Sequence, residues 1–128
     1  RHLAAVEHRL VLVDGDKDNI LPGMHVRLGE GHTLGQQFVI VETARGRLLA
    51  VGDCIYSKLN LTGHNHDGVF APLNNGIGSI WKQLETMDRI NEEIAGDMSR
   101  LIMMHDNDRW SHLPLVKEIG GFRILKAS

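Results

Sequence analysis

A single cysteine, Cys54, is all the sulfur chemistry of cross-linking available to these 128 residues. No internal disulfide can form, so the fold is not cystine-stapled and a reducing, cytoplasmic compartment is the expectation. Aromatic residues are scarce, at 5%, and Tyr56 is the only tyrosine. Charge of one sign is also lacking. Fourteen Lys and Arg against sixteen Asp and Glu give a net charge of −2, which disfavours nucleic acid and an anionic membrane surface as partners. Apolar runs stay well short of the roughly 18 residues that a membrane-spanning helix needs. The first eight residues, Arg1 to His8, have no signal-peptide core. The chain opens on Arg1 rather than on methionine and therefore reads as a processed or cut product.

What the sequence does have is the composition of one soluble globular domain, 42% hydrophobic and 23% charged, with eight histidines as the oddity. Leu10 to Asp14 is an apolar, β-branched run closed by Asp14-Gly15-Asp16, and predicts a strand and turn. Met24, Val26 and Leu28 alternate with His25 and Arg27 after the Pro22-Gly23 turn, predicting a second strand with one buried face. Gln37 to Thr43, a turn over 44–47, and Leu48 to Asp53 predict a hairpin. The near-continuous apolar character of its strands predicts cover on both faces.

From Tyr56 to Gly78 the periodicity dissolves, and a long functional loop is expected. Ile80, Leu84, Met87, Ile90 and Ile94 recur at three- and four-residue steps, so 79–94 is the clearest helix, with Gly96 as its stop. Leu101 to Met104 reads as a buried strand ending at His105-Asp106. The tail predicts a short helix over 113–118 and a last strand, Phe122 to Leu125. Neither a repeat nor a linker divides the chain.

Three extended stretches end abruptly in a metal-capable side chain: His32 after 24–28, Asp53 after 48–51 and His105 after 101–104. Strand ends let a rigid sheet aim side chains into one cleft. Two imidazoles and a carboxylate suit zinc, iron or manganese. Singly, each such residue is more often a turn or capping residue.

Taken in order, Gly29-Glu30-Gly31-His32-Thr33-Leu34-Gly35-Gln36, then Gly52-Asp53 at a hairpin end, then an apolar strand running into His105-Asp106, resemble the second half of a metallo-β-lactamase-fold hydrolase. The resemblance runs from about Leu10 to the C-terminus. It implies an α+β fold, half of an αββα sandwich, with a mixed sheet and flanking helices. It also implies two divalent metal ions, zinc first with iron or manganese as alternatives. His32 would serve the first metal, Asp53 would bridge both and His105 would serve the second.

Asp53-Cys54-Ile55-Tyr56 and His105-Asp106 are similar to the quorum-quenching N-acyl homoserine lactonases of that superfamily, where a tyrosine follows the bridging aspartate at the third position. Tyr56 would then donate a hydrogen bond to a substrate carbonyl as it becomes an oxyanion. The alternative for Tyr56 is an ordinary strand-end aromatic. The superfamily's H-x-H-x-D-H motif is absent. His64-Asn65-His66-Asp67-Gly68 imitates it but follows Asp53, and reads as part of a loop at the cleft mouth, with His64 and His66 as substrate-binding or supporting residues or as solvated polar groups, and Asp106 as a support for a ligand histidine or the cap of a turn.

Residues 1–128 are therefore expected to form the C-terminal half of one domain, completed by an N-terminal half polypeptide that carries H-x-H-x-D-H, as a hetero-oligomer or dimer. The implied activity is attack of metal-bound hydroxide on a lactone, ester or amide. A thioester or phosphodiester hydrolase of the same fold, or a non-catalytic assembly subunit with vestigial ligands, are the alternatives. Bland readings cover the rest. Met103 and Met104 read as core, Cys54 as a small buried residue, and Asn60-Leu61-Thr62 as an accidental glycosylation sequon. Trp81 reads as core or entrance, and Asp108, Arg109 and Trp110 as the substrate mouth.

Overall fold

The sheet is built outward from the hairpin that the apolar pattern marks. In this computed structural model, which describes residues 6–62 and 78–126 (the side chains of 107–109 excepted), strands β3 (Gln37–Thr43) and β4 (Gly46–Gly52) pair antiparallel. Strand β2 (Met24–Leu28) pairs antiparallel with β3, and β1 (Lys17–Leu21) with β2. On the far side β5 (Leu101–Met103) joins β4 in parallel, giving the order β1-β2-β3-β4-β5. The mixed sheet matches expectation, and the elements are α+β.

Register divides the sheet into two apolar faces. Directly paired residues share a face, so Ile40, Leu49 and Leu101 stand together, as do Val39, Ala50 and Ile102. The first face meets helix α2 (Ile80–Ile94): Phe38, Ile40, Leu49, Val51, Leu101 and Met103 bury against Met87, Ile90 and Ile94, with Cys54 and Ile55 completing the core. The second face carries Met24, Val26, Val39, Val41, Leu48, Ala50 and Ile102, of which only Val26 is fully buried.

Helix α2 begins where Ser79 Oγ accepts the Lys82 N–H and ends at Ala95, which takes the left-handed conformation ahead of Gly96. Among the described residues no helix is long and apolar enough to cross a membrane.

Four expectations need correction. Leu10 to Asp14 pairs with no strand in the sheet. Val11 and Leu12 are 87% and 93% exposed, and the edge place is taken by the polar stretch Lys17–Leu21, whose Asp18 binds Arg27 at 2.7 Å and His25 at 3.0 Å. The 56–78 stretch is not all loop, because Lys58–Thr62 forms a short helix, α1; residues 63–77, with His64 and His66, lie outside the described residues. In the tail, helix α3 is Asn107–His112, ahead of Pro114, and Leu115–Ile119 is strand β6, paired with β7 (Phe122–Leu125). Met104 is 61% exposed and Trp81 74% exposed, so neither is core, whereas Met103 is.

Candidate metal centre

Strand direction gathers the three expected ligands. Because β2 and β4 are each antiparallel to β3, and β5 is parallel to β4, strands β2, β4 and β5 all run the same way. The segments that follow them therefore leave the sheet by one edge, and these segments carry His32, Asp53 and His105. This edge, outside the carboxyl ends of co-directional strands, is where open sheets place ligands.

Asp53 is the hub. Its Oδ1 lies 3.0 Å from His105 Nε2, and its Oδ2 lies 3.7 Å from His32 Nε2. Side-chain exposure rises from 13% at His32 to 42% at Asp53 and 54% at His105, so the cluster opens on the His105 side. The Tyr56 ring neighbours both imidazoles, 4.4 Å from His105 and 5.9 Å from His32 by ring centroids. All four residues stand together.

Their donor chemistry fits metal ions. Two atoms bound to one tetrahedral zinc at roughly 2.1 Å each stand about 3.4 Å apart. The His105 and His32 separations from Asp53 bracket that spacing. Among the described residues no three His, Cys, Asp or Glu side chains meet as one metal-holding group. The arrangement is two His–Asp pairs that share a carboxylate, and an ion held by either pair would be short of the four ligands zinc usually takes.

The backbone at Asp53, at Tyr56 and at the strand end before His105 is held by side-chain clasps, a role that sequence reading did not give to the residues that form them. Gln36, with its amide turned so that Oε1 accepts, takes the Asp53 N–H at 3.1 Å and the Cys54 N–H at 3.0 Å. Buried Asn60 takes the Tyr56 and Ser57 N–H groups on its Oδ1, at 3.1 and 3.0 Å, so the sequon asparagine is a structural residue. Trp110 Nε1 donates to Met103 O at 2.9 Å, tying α3 to the end of β5 instead of presenting its indole N–H to a substrate. Side chain to backbone bonds of this kind carry no periodic signal.

Cys54 is 1% exposed, and its Sγ donates to Gly29 O at 3.4 Å. Burial, then the neighbouring Asp53 carboxylate, push its thiol up to about 12. It is a packed thiol, as expected, and not a thiolate ligand in this arrangement. Asp106 is buried immediately before α3.

No family model matches the sequence, and no curated protein matches it. Solved structures do. An N-acyl homoserine lactone hydrolase with the product N-hexanoyl-L-homoserine bound at its catalytic metal centre superposes with a TM-score of 0.60 at 21% identity, over 89% of this chain and 41% of that one. The AiiA lactonase of B. thuringiensis with N-decanoyl-L-homoserine bound gives the same TM-score, identity and coverage. A quorum-quenching N-acyl homoserine lactone hydrolase reaches 0.62 at 20% identity, over 89% and 42%. The chain has the fold of part of a metallo-β-lactamase-type lactonase, and spans about two-fifths of the lactonases it matches.

Proposed function

We propose that this chain supplies one wall of a dinuclear metal site in a hydrolase that opens a lactone, ester or amide carbonyl. The observation that carries the reading is the division of labour at Asp53, whose two oxygens face two different histidines. A bridging carboxylate needs that division. His32 and Asp53 would hold one ion, and His105 and Asp53 the other, with zinc preferred to iron or manganese for the imidazole and carboxylate donors. When bound, such ions lower the pKa of water to about 7 and polarise the carbonyl.

The chain's own residues do the rest. Tyr56, beside both imidazoles, donates a hydrogen bond from its hydroxyl to the carbonyl oxygen as charge gathers there. Gln36 and Asn60 fix the backbone of Asp53 and Tyr56, so little reorganisation accompanies the reaction.

The missing ligands belong, in this reading, to an N-terminal half of the same domain carrying H-x-H-x-D-H. The second sheet face supports it, because Met24, Val39, Val41, Leu48, Ala50 and Ile102 leave an apolar surface only half-buried. Hairpin β6–β7 also exposes Leu115, Ile119, Phe122 and Ile124, and a lone two-stranded hairpin is marginal in water. The single unpaired thiol suits the cytoplasm, where we place the protein.

The test is hydrolysis by the zinc-loaded protein, completed by its N-terminal half, of N-hexanoyl homoserine lactone, with a thioester and a phosphodiester run in parallel. Lactone opening that fails in Asp53→Asn supports the reading. Hydrolysis of the thioester or phosphodiester alone replaces the substrate class, and no hydrolysis together with no metal uptake rejects it in favour of an assembly subunit.

A further inference from the structure

Helix α2 grips the loop that carries His32 at three successive points. Arg89 Nη1 donates to Leu28 O at 2.9 Å, Thr86 Oγ1 donates to Glu30 O at 2.7 Å, and the Ser79 N–H donates to Gly31 O at 2.8 Å. One face of one helix therefore takes three of the four carbonyls that precede His32. The contact is also sterically closed. A Cβ at Gly31 would lie 2.4 Å from Gln83 Cα, and one at Gly29 would lie 2.7 Å from Cys54 Sγ. Gln83 is fully buried in α2, and among the described residues neither of its amide atoms has a hydrogen-bond partner. An unpaired buried amide costs stability, which marks this helix face as held in place at the expense of local satisfaction.

We propose that α2 sets the position of the His32 imidazole, with Thr86 as the positioning residue acting through the Glu30 carbonyl. Thr86 is 4% exposed, and its hydroxyl has the middle carbonyl of the three. Without that bond the Glu30–Gly31 peptide can rotate, and the imidazole one residue further on moves out of its largely covered place beside Asp53. The geometry stands independently of any metal. Its consequence for metal binding rests on the function proposed above.

The test measures the rate at which diethyl pyrocarbonate modifies each histidine of the native protein, read residue by residue by mass spectrometry. His105, at 54% side-chain exposure, is the reference within the same molecule for His32 at 13%. Losing a buried hydrogen bond of ordinary strength should open the loop about fivefold more often, so Thr86→Val should raise the His32 rate by about that factor. His105 should change less than about twofold, and Thr86→Ser, which keeps the hydroxyl, should stay near the parent. An unchanged His32 rate in Thr86→Val, or an equal rise in Thr86→Ser, overturns the proposal.

If Thr86→Val raises every histidine together, Arg89→Met, which frees the Leu28 carbonyl at the loop's start, decides the matter by the same His32 to His105 comparison. Zinc titration separates the two readings. A His32 rise with weaker zinc binding supports both, whereas a His32 rise with zinc binding absent in parent and variant upholds the positioning role and counts against the metal site.

Discussion

Gly31 lies against the backbone of Gln83 so closely that no side chain fits between them, and its φ of +138° is one that L-residues rarely adopt. Both facts predict the same result. Gly31→Ala should cost at least about 2 kcal/mol, from backbone strain plus overpacking against the helix. Urea denaturation measures it, and a cost under about 0.5 kcal/mol would mean that the loop does not lie under α2 as described.

Asp16, just ahead of β1, is tied to both β2 and α2. Its Oδ1 accepts the Leu28 N–H at 2.7 Å and its Oδ2 accepts Arg89 Nη2 at 2.8 Å. Burial acts to raise this carboxyl, but the Leu28 N–H and the Arg89 guanidinium outweigh it and leave the group below the ordinary aspartate range. A depressed folded pKa stabilises the fold above the unfolded value of about 3.9, and the gain is lost as pH falls through the folded pKa. Asp16 is half-exposed, so screening keeps the effect within about 1 kcal/mol. Asp16→Asn should therefore lower stability at pH 7 by that order, and the difference should shrink as pH falls through the folded pKa of Asp16.

In the proposed function Tyr56 serves the substrate and not coordination. Tyr56→Phe keeps the ring packed on His105 and His32 and removes only the hydroxyl. Turnover should fall by roughly 10²–10³, the cost of one oxyanion donor. Zinc content by mass spectrometry should be unchanged. Equal turnover would return Tyr56 to the role of a strand-end aromatic.

Much of the scaffold was legible because it repeats. The β3–β4 hairpin shows as two apolar runs about a turn, and α2 as a stripe at helical spacing with Ser79 and Gly96 at its ends. Leu10 to Asp14 misled for the same reason. Its apolar pattern suits a strand, but the edge position was decided by Asp18 with Arg27 and by Asp16 with Arg89, which are partnerships between distant residues. In the tail, Pro114 separates α3 from β6, and the cross-strand register with Phe122–Leu125 made 115–119 a strand where local reading favoured a helix. At the site, His32, Asp53, Tyr56 and His105 were found through their order in the chain and the resemblance it carries. Gln36, Asn60 and Thr86 escaped because each acts on a backbone group that any sequence possesses.

Asp53 as a bridge between two ions is the claim on which the functional reading stands, and anomalous diffraction at the zinc edge from crystals of the zinc-loaded protein with the proposed N-terminal half measures it directly. Two peaks about 3.5–4 Å apart are predicted, one within reach of His32 and Asp53 and the other of His105 and Asp53, with ligand distances of about 2.0–2.2 Å. A single peak, or peaks that leave Asp53 uncoordinated, would contradict it.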